Sequence, residues 1–94
     1  MSDFGQHLID KYNEKNTSVK VQRIHRFDNT RRLKANVNVI INDALLIRGI
    51  RVISGISGLH VLMPEAHNEF MIQCLTQELK DQITQTVLEA YNEE

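Results

Sequence analysis

The chain has 94 residues, of which 41% are hydrophobic and 24% are charged, and its formal net charge is −1. This length suits one domain with a single core, and the hydrophobic share is too high for a disordered chain. No apolar run is long enough to cross a membrane, and the first residues lack the basic and apolar blocks of a signal peptide. A single cysteine, Cys74, excludes an internal disulfide and fits a reducing compartment, so we expect a cytoplasmic protein.

The beginning of the chain predicts a short helix. Phe4, Leu8 and Tyr12 recur every four residues, which places them on one helix face. A polar connector follows. We therefore divide the chain into an N-terminal helical extension over residues 1–18 and a main domain over residues 19–94.

Strands are predicted from Val19 onward. Residues 19–27 are rich in β-branched side chains but alternate imperfectly, which indicates a bulge or an edge strand. Residues 33–41 alternate most regularly between apolar and polar side chains, as in a strand with one buried face. Asn42-Asp43 then predicts a tight turn, and the long strand after it breaks its alternation near Gly49.

The second half of the chain predicts another hairpin and a helix. Gly55 and Gly58 suit a turn with positive φ angles, residues 59–63 alternate as a strand, and residues 70–74 are the candidate for a fifth strand. Thr76 is a natural N-cap for a final amphipathic helix. The expected fold class is α+β: an antiparallel β-sheet of four to five strands, with a C-terminal covering α-helix and a short N-terminal helix.

The near-zero net charge conceals two blocks of opposite sign. Residues 20–51 carry eight cations and two anions, a net charge of +6, whereas residues 52–94 carry one cation and seven anions, a net charge of −6. Cations on a hairpin can neutralise phosphates and release counterions. The alternatives are a solvated hairpin face, a basic sheet neutralised by the acidic helix of the same chain, and pairing between two copies of the chain.

Catalysis and metal binding find little support in the sequence. The four histidines have no metal-ligand spacing with one another or with Cys74, whose apolar neighbours favour a buried, inert thiol. The two-glycine turn lacks the lysine and the following helix of a phosphate loop. The five Phe and Tyr residues show no paired mid-strand pattern of the kind that single-strand readers use. We therefore expect no enzyme, no cofactor, no metal and no small-molecule substrate.

The segment Ile50–Pro64 reads Ile-Arg-Val-Ile-Ser-Gly-Ile-Ser-Gly-Leu-His-Val-Leu-Met-Pro. It resembles the signature of the stage V sporulation protein G (SpoVG) family of septation regulators. That family shows Ile-Arg-Val-Ile, a two-glycine turn and Gly-Leu-x-Val-x-Met-Pro, and the similarity extends to the earlier hairpin and to the final helix. It implies a small homodimeric, cytoplasmic regulator that binds DNA or RNA. The sequence departs from the family in an acidic loop over residues 65–69 and in a helix start with few cations.

The leading interpretation is a nucleic-acid-binding regulatory protein, and the alternative is a homodimeric protein-interaction module of the same family that does not bind nucleic acid. For Arg51, a phosphate or dimer contact competes with an ion pair across the sheet, for instance with an acid of the last helix. The candidate nucleic-acid-binding residues are the cations of the predicted hairpin and of the signature: Lys20, Arg23, Arg26, Arg31, Arg32, Lys34 and Arg51.

Overall fold

The computed structural model describes residues 17–28 and 30–93, so the expected N-terminal helix lies outside the described residues. The elements in chain order are β1 (Val19–Arg26), β2 (Leu33–Ile41), β3 (Leu45–Gly55), β4 (Gly58–Leu62), β5 (Glu65–Ala66), β6 (Glu69–Phe70) and α1 (Gln77–Asn92). The first four strands form one antiparallel sheet in the order β1-β2-β3-β4, and β5 and β6 form a separate hairpin. The predicted α+β class, with a sheet and a C-terminal helix, is confirmed.

The predicted strand over residues 70–74 is wrong. Only Phe70 belongs to a strand, the two-residue β6, and its partner in β5 is Glu65. The turn between them consists of His67 and Asn68, whose φ angles of 53° and 67° suit a tight hairpin turn. The amide of Met71 donates to the carbonyl oxygen of Pro64 at 2.9 Å, which closes this hairpin and ends it. The acidic loop is therefore a small hairpin of its own.

The core lies on one face of β2 and its neighbours. Ala35, Val37 and Val39 are fully buried, as the alternation in the sequence predicted. The helix α1 covers this face with Ile83 and Val87, which are both buried. Burying aliphatic side chains of this size contributes about 1.5–3 kcal/mol each, so this contact between helix and sheet contributes substantially to stability.

The start of α1 follows the sequence expectation. Thr76 precedes the helix in extended conformation, and its hydroxyl oxygen accepts from the amide of Leu79 at 3.2 Å. Glu78 lies in the first turn, where a negative charge is favourable near the amide end of the helix. The helix therefore begins where the N-cap predicted.

The ladders of β2 shift register at three places: once in the pairing with β1, and twice in the pairing with β3, between Leu33 and Ala35 and between Val37 and Val39. Two of these shifts are bulges close to Asn38. The pairing of β1 with β2 shifts between Val21 and Arg23, and β3 gains one residue at Gly49, which has a φ angle of 87°. The side chain of Asn38 reaches both bulges: its Nδ2 donates to Oε1 of Gln22 at 3.3 Å, and its Oδ1 accepts from the amide of Gly49 at 3.4 Å. Both breaks in the sequence pattern are thus confirmed as bulges, and one amide side chain lies between them.

The turn between β2 and β3 is the predicted Asn42-Asp43 pair. Both residues have left-handed φ angles, 55° and 54°, which these two residue types tolerate well. The Asn42 side chain also accepts from the amide of Ser18 at 2.8 Å, which ties the start of β1 to this turn.

The two glycines of the β3–β4 hairpin have different roles. Gly58 has a φ angle of 128°, as expected for a turn glycine, whereas Gly55 belongs to β3 and pairs with Gly58. At Gly55 the requirement is space, because a Cβ there would lie 2.5 Å from Cδ2 of His60. The expectation of positive φ angles at both positions is therefore correct for Gly58 only.

We predict that Gly55→Ala lowers the free energy of unfolding by about 1 kcal/mol, because the His60 imidazole must move away from the backbone of β3. In a His60→Ala background the same change should cost clearly less, since the clash is gone. Urea denaturation of the four proteins of this double-mutant cycle measures the coupling. An equal cost in both backgrounds would contradict the packing assigned to His60.

Candidate nucleic-acid interface

The side of the sheet away from α1 carries polar side chains. Lys34, Asn36 and Asn38 alternate with the buried residues of β2 and therefore lie on this side. Asn36 pairs with His25 of β1 and with Arg51 of β3, which forms a cross-strand row. We call this side the open face and define it by six residues: Arg23, His25, Lys34, Asn36, Asn38 and Arg51.

A shallow depression of about 230 Å³ lies on the open face between β1 and β2. It is lined by Arg23, His25, Asn36 and Asn38. Arg23 and His25 are exposed and the two asparagines are half-buried. The lining of the depression therefore consists of hydrogen-bonding groups: a guanidinium, an imidazole and two amides.

Two further cations lie where the β1–β2 hairpin turns. The guanidinium of Arg31 lies 5.2 Å from the centre of the Phe27 ring, in a cation–π arrangement. Nε of Arg32 donates to the carbonyl oxygen of Ser54 at 3.3 Å. Both side chains are exposed, and neither forms an ion pair with the residues that the structure describes. They bring two positive charges together at this end of the sheet, and Lys34 begins the open face beside them.

Arg26 is directed to the helix instead of to the open face. Its Nη2 donates to the carbonyl oxygens of Ala90, Tyr91 and Glu93 at 3.1, 2.7 and 2.8 Å, and its guanidinium lies 5.3 Å from the Tyr91 ring. The last turn of α1 has no basic residue of its own, so Arg26 supplies the positive charge that the carbonyl end of a helix favours. No pattern in the sequence indicates this contact, which joins residues more than 60 positions apart.

Arg51 and Lys20 have carboxylate partners. Nη2 of Arg51 lies 3.0 Å from Oε1 of Glu65, with both side chains about one third exposed. The expected ion pair therefore exists, but its acid belongs to β5 and not to the last helix. Nζ of Lys20 lies 3.0 Å from Oδ1 of Asp43 in the β2–β3 turn, and both side chains are largely exposed, so water screens this pair.

An apolar groove of about 260 Å³ lies beside β4. Its lining includes Val61, Met63, Ile72, Cys74 and Lys80. Burial raises the pKa of the Cys74 thiol, while the positive charge of Lys80 lowers that pKa to a smaller extent. The thiol is therefore held in its protonated, unreactive form at neutral pH.

Large apolar side chains are exposed next to this groove. Phe70 is 44% exposed, Met71 65% and Leu75 93%. Among the strands that the structure describes, β4 pairs only with β3, so its outer edge has no ladder partner. We call this surface, composed of the groove and these three side chains, the β4 surface.

Comparison with known proteins decides the family. The SpoVG family model matches residues 15–93. The chain belongs to the SpoVG family. A SpoVG-family relative from Treponema denticola, provisionally named a septation protein SpoVG, is 34% identical over 80 residues, which cover 80% of this chain and 83% of the relative. Relatives with the same provisional name occur in Fusobacterium nucleatum and Bdellovibrio bacteriovorus. The Fusobacterium relative is 34% identical over 80% of this chain and 85% of its own length. The Bdellovibrio relative is 34% identical over 83% of this chain and 73% of its own length.

Two further observations describe this SpoVG-family chain. Over residues 17–28 and 30–93, no group of three or more histidine, cysteine or acidic side chains is arranged to hold a metal ion. Within the same residues, no helix is both long and apolar enough to span a membrane.

We predict that Arg26→Ala lowers the free energy of unfolding by about 1–2 kcal/mol, because three carbonyl contacts at the end of α1 and their compensating charge are lost. Arg23→Ala is the matched control: it removes the same charge from the same strand, but from the open face, and should change stability by less than about 0.5 kcal/mol. Urea denaturation checks both. Equal stability of the two variants would show that Arg26 does not support the helix.

Proposed function

We propose that this SpoVG-family protein is a nucleic-acid-binding regulator that contacts DNA or RNA phosphates through the open face and the adjacent hairpin end. The observation that carries the proposal is the group of Arg23, Arg31 and Arg32: all three are exposed and form no ion pair with the described residues. Arginine suits phosphate oxygens because its planar fork donates two parallel hydrogen bonds.

The division of charge between the two faces supports this function. The net positive block of the sequence forms β1, β2 and most of β3, whereas the acidic block includes α1, which covers the core face. A phosphate backbone that approaches the open face therefore meets cations first, with the sheet between it and the acidic helix. Local fields of this kind steer an anionic ligand even when the net charge of the protein is near zero.

The candidate cations do not contribute equally to this proposal. Arg23, Arg31 and Arg32 are the main proposed phosphate contacts, and the half-buried Lys34 lies close to the latter two in sequence, at the start of β2. Arg51 and Lys20 can contribute only in competition with Glu65 and Asp43. Arg26 is the weakest candidate, because binding a phosphate would break its hydrogen bonds with the carbonyl oxygens at the end of α1.

We predict that the double variant Arg31→Ala/Arg32→Ala binds a mixed-sequence DNA duplex more weakly than the parent protein. The slope of log K against log salt concentration should become shallower by about 2, since each phosphate contact contributes about one unit. Fluorescence anisotropy titrations at several salt concentrations measure both quantities. Lys80→Ala is the control, because Lys80 is an exposed cation on α1, which covers the opposite face of the sheet. An unchanged slope in the double variant, or an equal loss in the control, would refute the phosphate contacts.

The β4 surface supports a second element of the proposal, self-association. A small domain that leaves Phe70, Met71 and Leu75 exposed beside an apolar groove has apolar area to bury against a partner. The unpaired edge of β4 offers backbone groups to the same partner. A second copy of the chain presents the same groove and edge, so the two surfaces can meet around a two-fold axis. We therefore propose a homodimer that works in the cytoplasm, where Cys74 stays reduced.

We predict that Phe70→Ser/Leu75→Ser shifts the protein from dimer to monomer, because it removes apolar side chains from the proposed interface. Ile56→Ser is the matched control, since Ile56 is fully exposed at the tip of the β3–β4 hairpin, away from the groove. Sedimentation velocity over a range of protein concentrations measures the state of association. A monomeric parent protein, or a double variant that stays dimeric, would contradict this interface.

The alternative function is a protein-interaction module that does not bind nucleic acid. The observation that favours it is that Lys20, Arg26 and Arg51 already have partners within the chain. A stable dimer that binds neither DNA nor RNA pools at low salt would support this alternative over the leading proposal.

A further inference from the structure

Three planar side chains follow one another along β1 and into its turn. The ring centres of His25 and Phe27 are 4.8 Å apart, with an angle of 80° between the ring planes. The guanidinium of Arg31 lies 5.2 Å from the centre of the same Phe27 ring. This track is continuous with the depression on the open face, because His25 also lines the depression.

The two asparagines of the depression differ in what they can offer a ligand. The amide of Asn38 is engaged by Gln22 and Gly49, so it is held in place between the two bulges. Asn36 makes no side-chain hydrogen bond within the described part of the chain, and it is half-buried in the depression next to His25. Its donor and acceptor groups are therefore available, in a position that the surrounding ladder fixes.

The combination of a polar recess with planar side chains is typical of surfaces that bind unpaired bases. Histidine, phenylalanine and arginine all present flat faces on which a base stacks, and an amide side chain can form hydrogen bonds with a base edge. A duplex keeps its bases stacked inside and presents mainly phosphates to a flat sheet, so it would leave both the recess and the planar track unused.

We propose that the open face binds single-stranded nucleic acid in preference to duplex. One unpaired base occupies the depression, where Asn36 contacts its edge, and a neighbouring base stacks on the exposed His25 ring, which Phe27 holds in place through its edge-to-face contact. Arg23 and Arg31 contact the flanking phosphates. This inference rests on the proposed function and adds to it the type of strand and the residues that select it.

The experiment compares one mixed-sequence DNA oligonucleotide as a single strand and as a duplex with its complement, at one salt concentration, by fluorescence anisotropy. The parent protein should bind the single strand more tightly. His25→Ala and Asn36→Ala should each weaken single-strand binding about fivefold or more, and should change duplex binding less than about twofold, because base contacts are lost and phosphate contacts are kept. Circular dichroism and urea denaturation establish that each variant is folded.

Two further variants separate the role of the ring from that of the fold. His25→Phe keeps a flat ring and should retain single-strand affinity within about twofold. Arg31→Ala/Arg32→Ala should weaken binding to both forms of the oligonucleotide and flatten the salt dependence.

The outcomes distinguish this inference from the proposed function on which it rests. If no oligonucleotide binds at low salt, the proposed function fails and the inference fails with it. If duplex binds as tightly as single strand, or if His25→Ala and Asn36→Ala leave single-strand affinity unchanged, the inference is overturned while phosphate binding stands. An equal loss for both forms in these two variants also overturns it, because that result indicates a general effect on the sheet.

Discussion

The alternation of β2 is the constraint on which the rest of the molecule depends. Ala35, Val37 and Val39 form the centre of the core beneath α1, and the residues between them form the middle of the open face. A shift of one residue in the register of this strand would exchange the two sets. The bulges in β1 and β3 let their strands follow β2 without losing the buried face, and the Asn38 amide lies between both. Core and candidate site are thus two sides of one strand.

The sheet also separates the charges of the chain. Acidic residues accumulate on α1, and the hairpin cations lie on the other side or at the hairpin end. Arg26 is the exception that connects the two layers, because its side chain leaves β1 on the core face and reaches the carbonyl end of α1. A helix whose last turn contains no basic residue depends on such a contact for favourable electrostatics at that end. One cation of the basic block therefore stabilises the fold, whereas Arg23, Arg31 and Arg32 form no ion pair with the described residues.

Local features were predictable from the sequence, and features that depend on tertiary placement were not. The turn at Asn42-Asp43, the bulge near Gly49 and the cap at Thr76 each follow from one or two residues whose conformational preferences are strong. The contact of Arg26 with α1 and the choice of Glu65 as the partner of Arg51 join segments whose approach the sequence pattern does not encode. His25 and Phe27 do stand at alternate positions at the end of β1, but a pattern defined by Phe, Trp and Tyr alone excludes an imidazole, which also acts as a planar group.

The two proposed surfaces are compatible because they lie at opposite edges of the sheet. The depression is bordered by β1, the β4 surface lies beyond the other edge strand, and three strand spacings of about 4.8 Å separate β1 from β4. A dimer formed through β4 therefore leaves the depression of each copy uncovered and gives one assembly two sites for the same kind of ligand. When a strand is long enough to reach both sites, the second contact becomes intramolecular, and the overall affinity exceeds that of either site without any new contact. Self-association would then strengthen binding to long nucleic acids far more than to short oligonucleotides, even though no residue of the β4 surface touches the ligand.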